Sequence, residues 1–242
     1  MCIRDSSKVA AEFPDTKFSI IDVSWLDAPN LRQYAFKEHE GSYIVGVAAA
    51  KASKTGKVGF VGGMDIGLIR RFACGYVGGV KSVNASAEVY QNMTGTTPAA
   101  WNDPAKGAEL TQSQIDRGAD VVYHAAGGTG AGVIQAAADA GKLAIGVDSN
   151  QNGMAPGSVL TSMLKRVDVA AYETFMDVKN GNFSAGVHVL GLAEGGVDWA
   201  LDENNASLVT ADMKAAIESA RADIVSGKVK VHDYFSDESC PY

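Results

Sequence analysis

At 242 residues, 46% of them hydrophobic and 20% charged, the chain is long enough for two modest α/β lobes or one large domain and lacks the composition of a disordered segment. A net charge of -7 and a pI near 5.1 exclude the basic face a nucleic-acid binder needs, no apolar run reaches the roughly 18 residues of a membrane span, and the charged start lacks the apolar core of a signal peptide. Cys2, Cys74 and Cys240 are far apart, odd in number and without metal-ligand spacing, so they read as structurally incidental.

Residues 7–13 read as the tail of a helix whose beginning is absent, so the chain looks cut at its start. Residues 18–23 read as a strand after the Pro14-Asp15 turn, with Asp22 at its carboxyl end, where α/β folds place ligand contacts. Capping or bonding the next loop is the alternative role for Asp22. Residues 38–52 are rich in alanine, with Tyr43, Val47 and Ala50 at helical spacing, which predicts a helix buried on most sides.

Residues 58–61 form the next predicted strand, followed by Gly62-Gly63-Met64-Asp65 and a helix over 66–83. Asp65 stands where it could cap that helix, contact a ligand, or do both. Arg70 and Arg71 read as a solvated face. A strand over 87–93 precedes a loop over 94–103, in which Trp101 either plugs a cleft or packs the loop onto the body, and a helix over 105–117 ends at Gly118.

The stretch 119–133 then repeats strand, glycine turn and helix. Its apolar residues, among them Tyr123 and His124, run into Gly127, Gly128, Gly130 and Gly132. Glycines there permit positive φ and close approach of a ligand to bare backbone, and the first N–H groups of the next helix lack internal partners. Two such units predict a parallel sheet whose turns open on one edge.

A strand over 142–147 places Asp148 at another carboxyl end. Asp148 falls about twenty residues after the glycine turn, the interval at which dinucleotide folds place an acid on the ribose, but these glycines give no G-x-G-x-x-G. An NAD-dependent enzyme is thus a weak reading. After a loop over 149–157 come a strand over 159–163, Lys165 and Arg166, and a helix over 167–180 closed by Gly181. Lys165 reads equally as a ligand contact and as a surface charge. A strand over 188–192, the Gly195-Gly196 turn and a helix over 212–226 complete the chain. No zinc spacing surrounds His124, which reads as a satisfied cleft or core histidine, and no G-x-S-x-G elbow or other defensible catalytic set is present. No enzyme activity, metal or cofactor is expected.

Lys57-Val-Gly-Phe-Val-Gly-Gly-Met-Asp65 with Leu68-Ile-Arg-Arg-Phe-Ala-Cys-Gly-Tyr76 resembles the signature of the basic membrane protein (BMP) family of substrate-binding lipoproteins. So do Ala125-Ala-Gly-Gly-Thr-Gly130, Ala144-Ile-Gly-Val-Asp-Ser-Asn-Gln151 and Leu160-Thr-Ser-Met-Leu-Lys165. The resemblance runs from about Phe13 to the end. It implies a type I periplasmic binding protein fold, two Rossmann-like lobes with parallel sheets, the first incomplete here: residues 1–40 a remnant of the N-terminal lobe, 41–165 the C-terminal lobe, and 166–242 hinge crossings and elements shared between lobes.

The same resemblance implies a periplasmic or surface receptor that gives a purine nucleoside such as inosine, guanosine or adenosine to ABC permease subunits, and meets the membrane only through an N-terminal lipid anchor. Cys2 has no lipobox before it and is not that anchor's cysteine. On this resemblance Asp148 accepts hydrogen bonds from ribose or base, Lys165 approaches from the same lobe, and Asp65, Gly127, Gly128 and Thr129 line the cleft. Tyr123 supplies a stacking ring, with His124 as its reserve and Asp22 as a weaker contact. The family's early Ser-Phe-Asn-like loop and second stacking aromatic are missing, which predicts weak nucleoside binding by this chain alone. The competing reading on the same fold is a ligand-sensing regulatory domain, which would need a helix-turn-helix or a dimerising face.

Overall fold

The computed structural model describes residues 3–242, with side chains from Asp5 onward; Cys2 lies outside the described residues. The chain forms two compact units, Met1–Lys37 with Arg166–Val197, and Glu38–Lys165 with Asp198–Tyr242. It passes from one to the other after Lys37, Lys165 and Val197.

The first unit holds helix α1 (Ile3–Glu12), strands β1 (Phe18–Ile21) and β2 (Leu31–Phe36), helix α6 (Val167–Asn180) and strand β8 (Gly186–Leu190). Its sheet has the order β1-β2-β8 with both pairings parallel. Strand β2 was not expected, because Arg32 and Gln33 interrupt its apolar run. Both are nonetheless buried: Arg32 reaches Asp177 on α6 at 2.7 Å and the Ser184 carbonyl at 2.9 Å, and Gln33 bonds both backbone groups of Leu26 at 2.8 Å. Satisfying each polar head is what makes its burial tolerable.

The second unit is built on a six-stranded sheet of order β4-β3-β5-β6-β7-β9. Its strands are β3 (Lys57–Met64), β4 (Glu88–Gly95), β5 (Val121–Ala125), β6 (Leu143–Asp148), β7 (Val159–Lys165) and the short β9 (Val197–Trp199). The pairings β3–β4, β3–β5, β5–β6 and β6–β7 are parallel, with Phe60 level with Tyr123 and Tyr123 level with Ile145. Successive side chains alternate between faces. Tyr123 meets Ser42 of α2 (Glu38–Ala52) and Tyr76 of α3 (Gly67–Val83), whereas His124 lies against Gly130 of α5 (Gly130–Asp139). Helices α2 and α3 thus cover one face, and α5, with its neighbour α4 (Pro104–Asp116), the other. Helix α7 (Ala211–Val225), capped by the Thr210 hydroxyl, packs on α2.

Glycines set the distance between α2 and α3. A Cβ at Gly75 would strike the His39 backbone, and one at Gly79 the Tyr43 carbonyl. The two helices therefore meet backbone to backbone. The cysteine expectation is corrected here: Cys74 of α3 and Cys240 of the C-terminal tail form a disulfide, with Cα atoms 5.6 Å apart across 166 residues of sequence. Sequence spacing could not reveal it, because only the return of the tail across α3 brings the two thiols together.

Candidate functional site

Because β3, β5 and β6 are adjacent and parallel, their carboxyl ends lie on one edge of the second unit's sheet. That edge brings together Asp65 directly after β3, the turn Gly127–Thr129 after β5, and Asp148 as the last residue of β6. Parallel βα units concentrate ligand contacts on such an edge because every connecting turn opens there. Gly127 has φ of 57°, which a residue with a side chain adopts only at a cost, and both Gly127 and Gly128 are exposed.

Asp65 does not cap the helix after it. The N-cap residue is Ile66, with no side-chain bond; Asp65 instead binds Arg70 through two bonds of 2.7 Å. The Arg70 hydrogen bonds hold its carboxyl below the usual aspartate range. Arg70 is therefore the fixed partner of a rim carboxylate. Arg71, also read as a solvated residue, is buried and bonds Glu38 at 2.8 Å and Asp233 at 2.7 Å.

Glu38 continues this network to Lys165, whose ammonium stands 3.2 Å away. Lys165 is 8% exposed, so it is neither a surface charge nor open to a ligand without exchanging Glu38. A helical period shows which residues share a stripe, but the neighbours that turn a stripe inward come from distant parts of the chain.

The Tyr123 ring is fully buried between Phe60, at 5.5 Å between centroids, and Tyr76, at 5.1 Å. Burial raises its hydroxyl pKa well above the ordinary value. The expectation of a stacking ring is corrected accordingly: both faces are occupied by the protein. His124, on the opposite face of the sheet, is fully buried too, and burial lowers its pKa to about 4. It is a core histidine, neutral at physiological pH.

Thr129 is corrected from lining to support. It is fully buried, and its hydroxyl donates to the Ala100 carbonyl at 2.8 Å and accepts from the Asp103 amide at 2.7 Å. These bonds pin the 3-10 turn Pro98–Trp101 beside the glycines. The half-exposed Trp101 ring then lies on Gly63, where a Cβ would strike it, and its edge is 3.5 Å from the Cβ position at Gly127. Trp101 thus brings an aromatic ring to this rim. The signal for it was present: a tryptophan in a Gly- and Pro-containing loop, with glycines at Gly63 in β3 and Gly127 in the turn leaving room for a flat ring.

Asp148 is exposed and has φ of 63°. Asp22, described with the first unit alone, directly follows β1, has φ of 62°, and donates its backbone N–H to the Tyr34 carbonyl at 2.8 Å. In both units the aspartate at the end of a parallel strand therefore adopts a backbone that side chains rarely take.

A sequence profile for ABC transporter substrate-binding proteins of the PnrA-like type matches residues 5–234. The ABC transporter nucleoside-binding protein BmpA of Lactococcus lactis is 36% identical over 248 residues, spanning 95% of this chain and 68% of that protein. Basic membrane protein A of Borreliella afzelii is 31% identical over 92% of this chain and 69% of its own length, so this chain spans about two thirds of each relative. An ABC transporter solute-binding protein from Aeropyrum pernix, solved by crystallography, superposes with a TM-score of 0.80 at 29% identity, covering 94% of this chain and 73% of that one. With its parallel sheets, its glycine turn and this match over nearly its whole length, the chain belongs to the Bmp family of PnrA-like ABC transporter substrate-binding proteins.

Proposed function

We propose that this chain belongs to a receptor that binds a purine nucleoside such as inosine, guanosine or adenosine and delivers it to the permease of an ABC importer, with no bond made or broken. The observation that carries the reading is the shared edge of Asp65, Gly127, Gly128 and Asp148 beside the Trp101 ring. A carboxylate accepts from ribose hydroxyls or a base N–H, bare glycine N–H groups donate, and an indole face stacks on any purine at about 1–3 kcal/mol per base. In this reading Trp101 takes the stacking role first given to Tyr123, and Lys165 joins only by leaving Glu38. Closure of two lobes on the nucleoside supplies the remaining contacts, Asp22 among them. The relative named as nucleoside-binding favours this ligand class.

The Cys74–Cys240 disulfide favours a periplasmic or cell-surface location, since such bonds persist in oxidising compartments. Mass spectrometry of small molecules released on denaturing the freshly purified full-length protein, followed by calorimetry with inosine, adenosine and ribose, tests the proposal. A purine nucleoside in the released fraction and saturable heat with nucleosides but not ribose are expected. A sugar or an amino acid in that fraction, with no nucleoside heat, would refute it.

A further inference from the structure

At Asp148 the positive φ coincides with a 2.7 Å hydrogen bond from the Ser149 amide to the Val147 carbonyl. Together they make a three-residue γ-turn of the positive-φ kind, which is rare and strained. Such a conformation persists only where its surroundings over-determine it. Two residues supply that determination from beneath the rim.

Gln151 folds its side chain back over the strand it has just left. Its Oε1 accepts from the Val147 amide at 2.9 Å and lies 2.9 Å from His124 Nε2. The Val147 bond fixes the oxygen end of the amide, so His124 must donate from Nε2, and its proton sits there. His124 is itself locked: a Cβ at Gly130 would collide with its ring. Gly146 leaves the room Gln151 needs, since a Cβ there would lie 2.6 Å from Ser162 Oγ and 2.8 Å from the Gln151 Cβ.

The rest of the loop is anchored just as closely. The Gln151 backbone N–H donates to Ser162 Oγ at 2.9 Å, and Ser162 Oγ donates to Asn152 Oδ1 at 2.9 Å. Asn150 and Asn152 both donate to Asp202 Oδ2, at 2.6 and 3.0 Å. The backbone is thus held on both sides of Asp148.

We infer that Gln151, oriented by His124, is a positioning residue that holds Asp148 in its positive-φ turn and so sets the direction of its carboxylate toward a ligand. The ligand half of this inference rests on the reading of Asp148 as a nucleoside contact. The turn half does not. The sequence Gly146-Val-Asp-Ser-Asn-Gln151 is then one device: glycine for clearance, aspartate for contact, glutamine for restraint.

The test is a double-mutant cycle with Gln151→Leu and Asp148→Asn, with inosine affinity measured by calorimetry and the Asp148 backbone followed by NMR. A strong amide-to-Hα cross-peak within Asp148 marks positive φ. In the wild type this peak is expected, and in Gln151→Leu it weakens. Inosine affinity falls about tenfold in Gln151→Leu, with no further loss when Asp148→Asn is already present.

An unchanged Asp148 peak, or an equal loss of affinity in both backgrounds, would overturn the inference. If Asp148→Asn binds inosine as well as the wild type while Gln151→Leu still shifts the peak, the nucleoside reading of Asp148 fails and the turn assignment stands. Should Gln151→Leu not fold, His124→Phe removes only the donor, and the same two readouts apply.

Discussion

Replacing Cys240 with serine removes the covalent tie between the C-terminal tail and α3. The linkage closes a loop of 166 residues, and in the chain-entropy description such a loop restricts the unfolded chain by about 5 kcal/mol. Native contacts limit what the folded state loses: Asp233 still bonds Arg71 through 2.8 and 2.7 Å bonds, the Arg71 guanidinium lies 5.0 Å from the Phe235 ring centroid, and the Tyr242 hydroxyl accepts from the His232 amide at 3.0 Å. The tail therefore stays docked, and the loss falls on unfolding free energy while the native contacts remain. Urea denaturation of wild type and Cys240→Ser without reductant should show a difference of about 3–5 kcal/mol, a range that allows for residual structure in the unfolded chain. Reductant should bring the wild type down to the variant and leave the variant unmoved. A tryptic digest without reductant should join residues 72–81 to residues 231–242. Free peptides 72–81 and 231–242 in that digest, or equal urea midpoints, would refute the reasoning.

Glu38→Gln removes a carboxylate shared by Lys165 and Arg71 in a buried network; breaking a buried ion pair from one side costs about 3–5 kcal/mol, and a loss below about 1 kcal/mol in urea denaturation would contradict this account. His124 titrates at about 4 in the fold and at 6.5 when unperturbed. Between those values the unfolded chain binds the proton and the folded one does not, so the histidine's share of stability is complete above pH 6.5 and falls by about 3 kcal/mol as pH drops to 4. His124→Phe should flatten this part of the stability profile, and an unchanged slope would show that His124 is not the group responsible. Tyr123→Phe removes only the hydroxyl that meets Ser42 at 3.3 Å and should cost about 1 kcal/mol or less in urea denaturation, a larger loss contradicting this reading of the bond. Trp101→Ala should weaken inosine binding by about tenfold as a stacking face is lost; unchanged affinity in calorimetry would remove Trp101 from the stacking role.

Much of the scaffold was legible before any coordinates. The limits of α2 and α6 agree with the sequence reading residue for residue, because caps and apolar spacing are local signals. The two strand–glycine–helix units announced the parallel sheet, although Gly62 and Gly63 lie within β3 and only the second glycine run forms a turn, and strand endings placed Asp65, Gly127, Gly128 and Asp148 on its carboxyl edge. Direction within a strand was not legible. Tyr123 and His124 are neighbours in sequence, yet the pleat sends one toward α3 and the other toward α5, and which side is filled depends on helices distant in sequence.

Local chemistry therefore determined the elements, their order and the edge where their turns gather. Tertiary structure alone decided the partners: Arg32 with Asp177, Arg71 with Asp233, Cys74 with Cys240. Each pair is separated by more than a hundred residues, and a charge or thiol in sequence carries no mark of what it will meet. The strained turn at Asp148 belongs to the same class, since one of its two restraints, His124, comes from a neighbouring strand. Short-range rules fix where the backbone goes, and only packing fixes which side chains are left facing outward to meet a ligand.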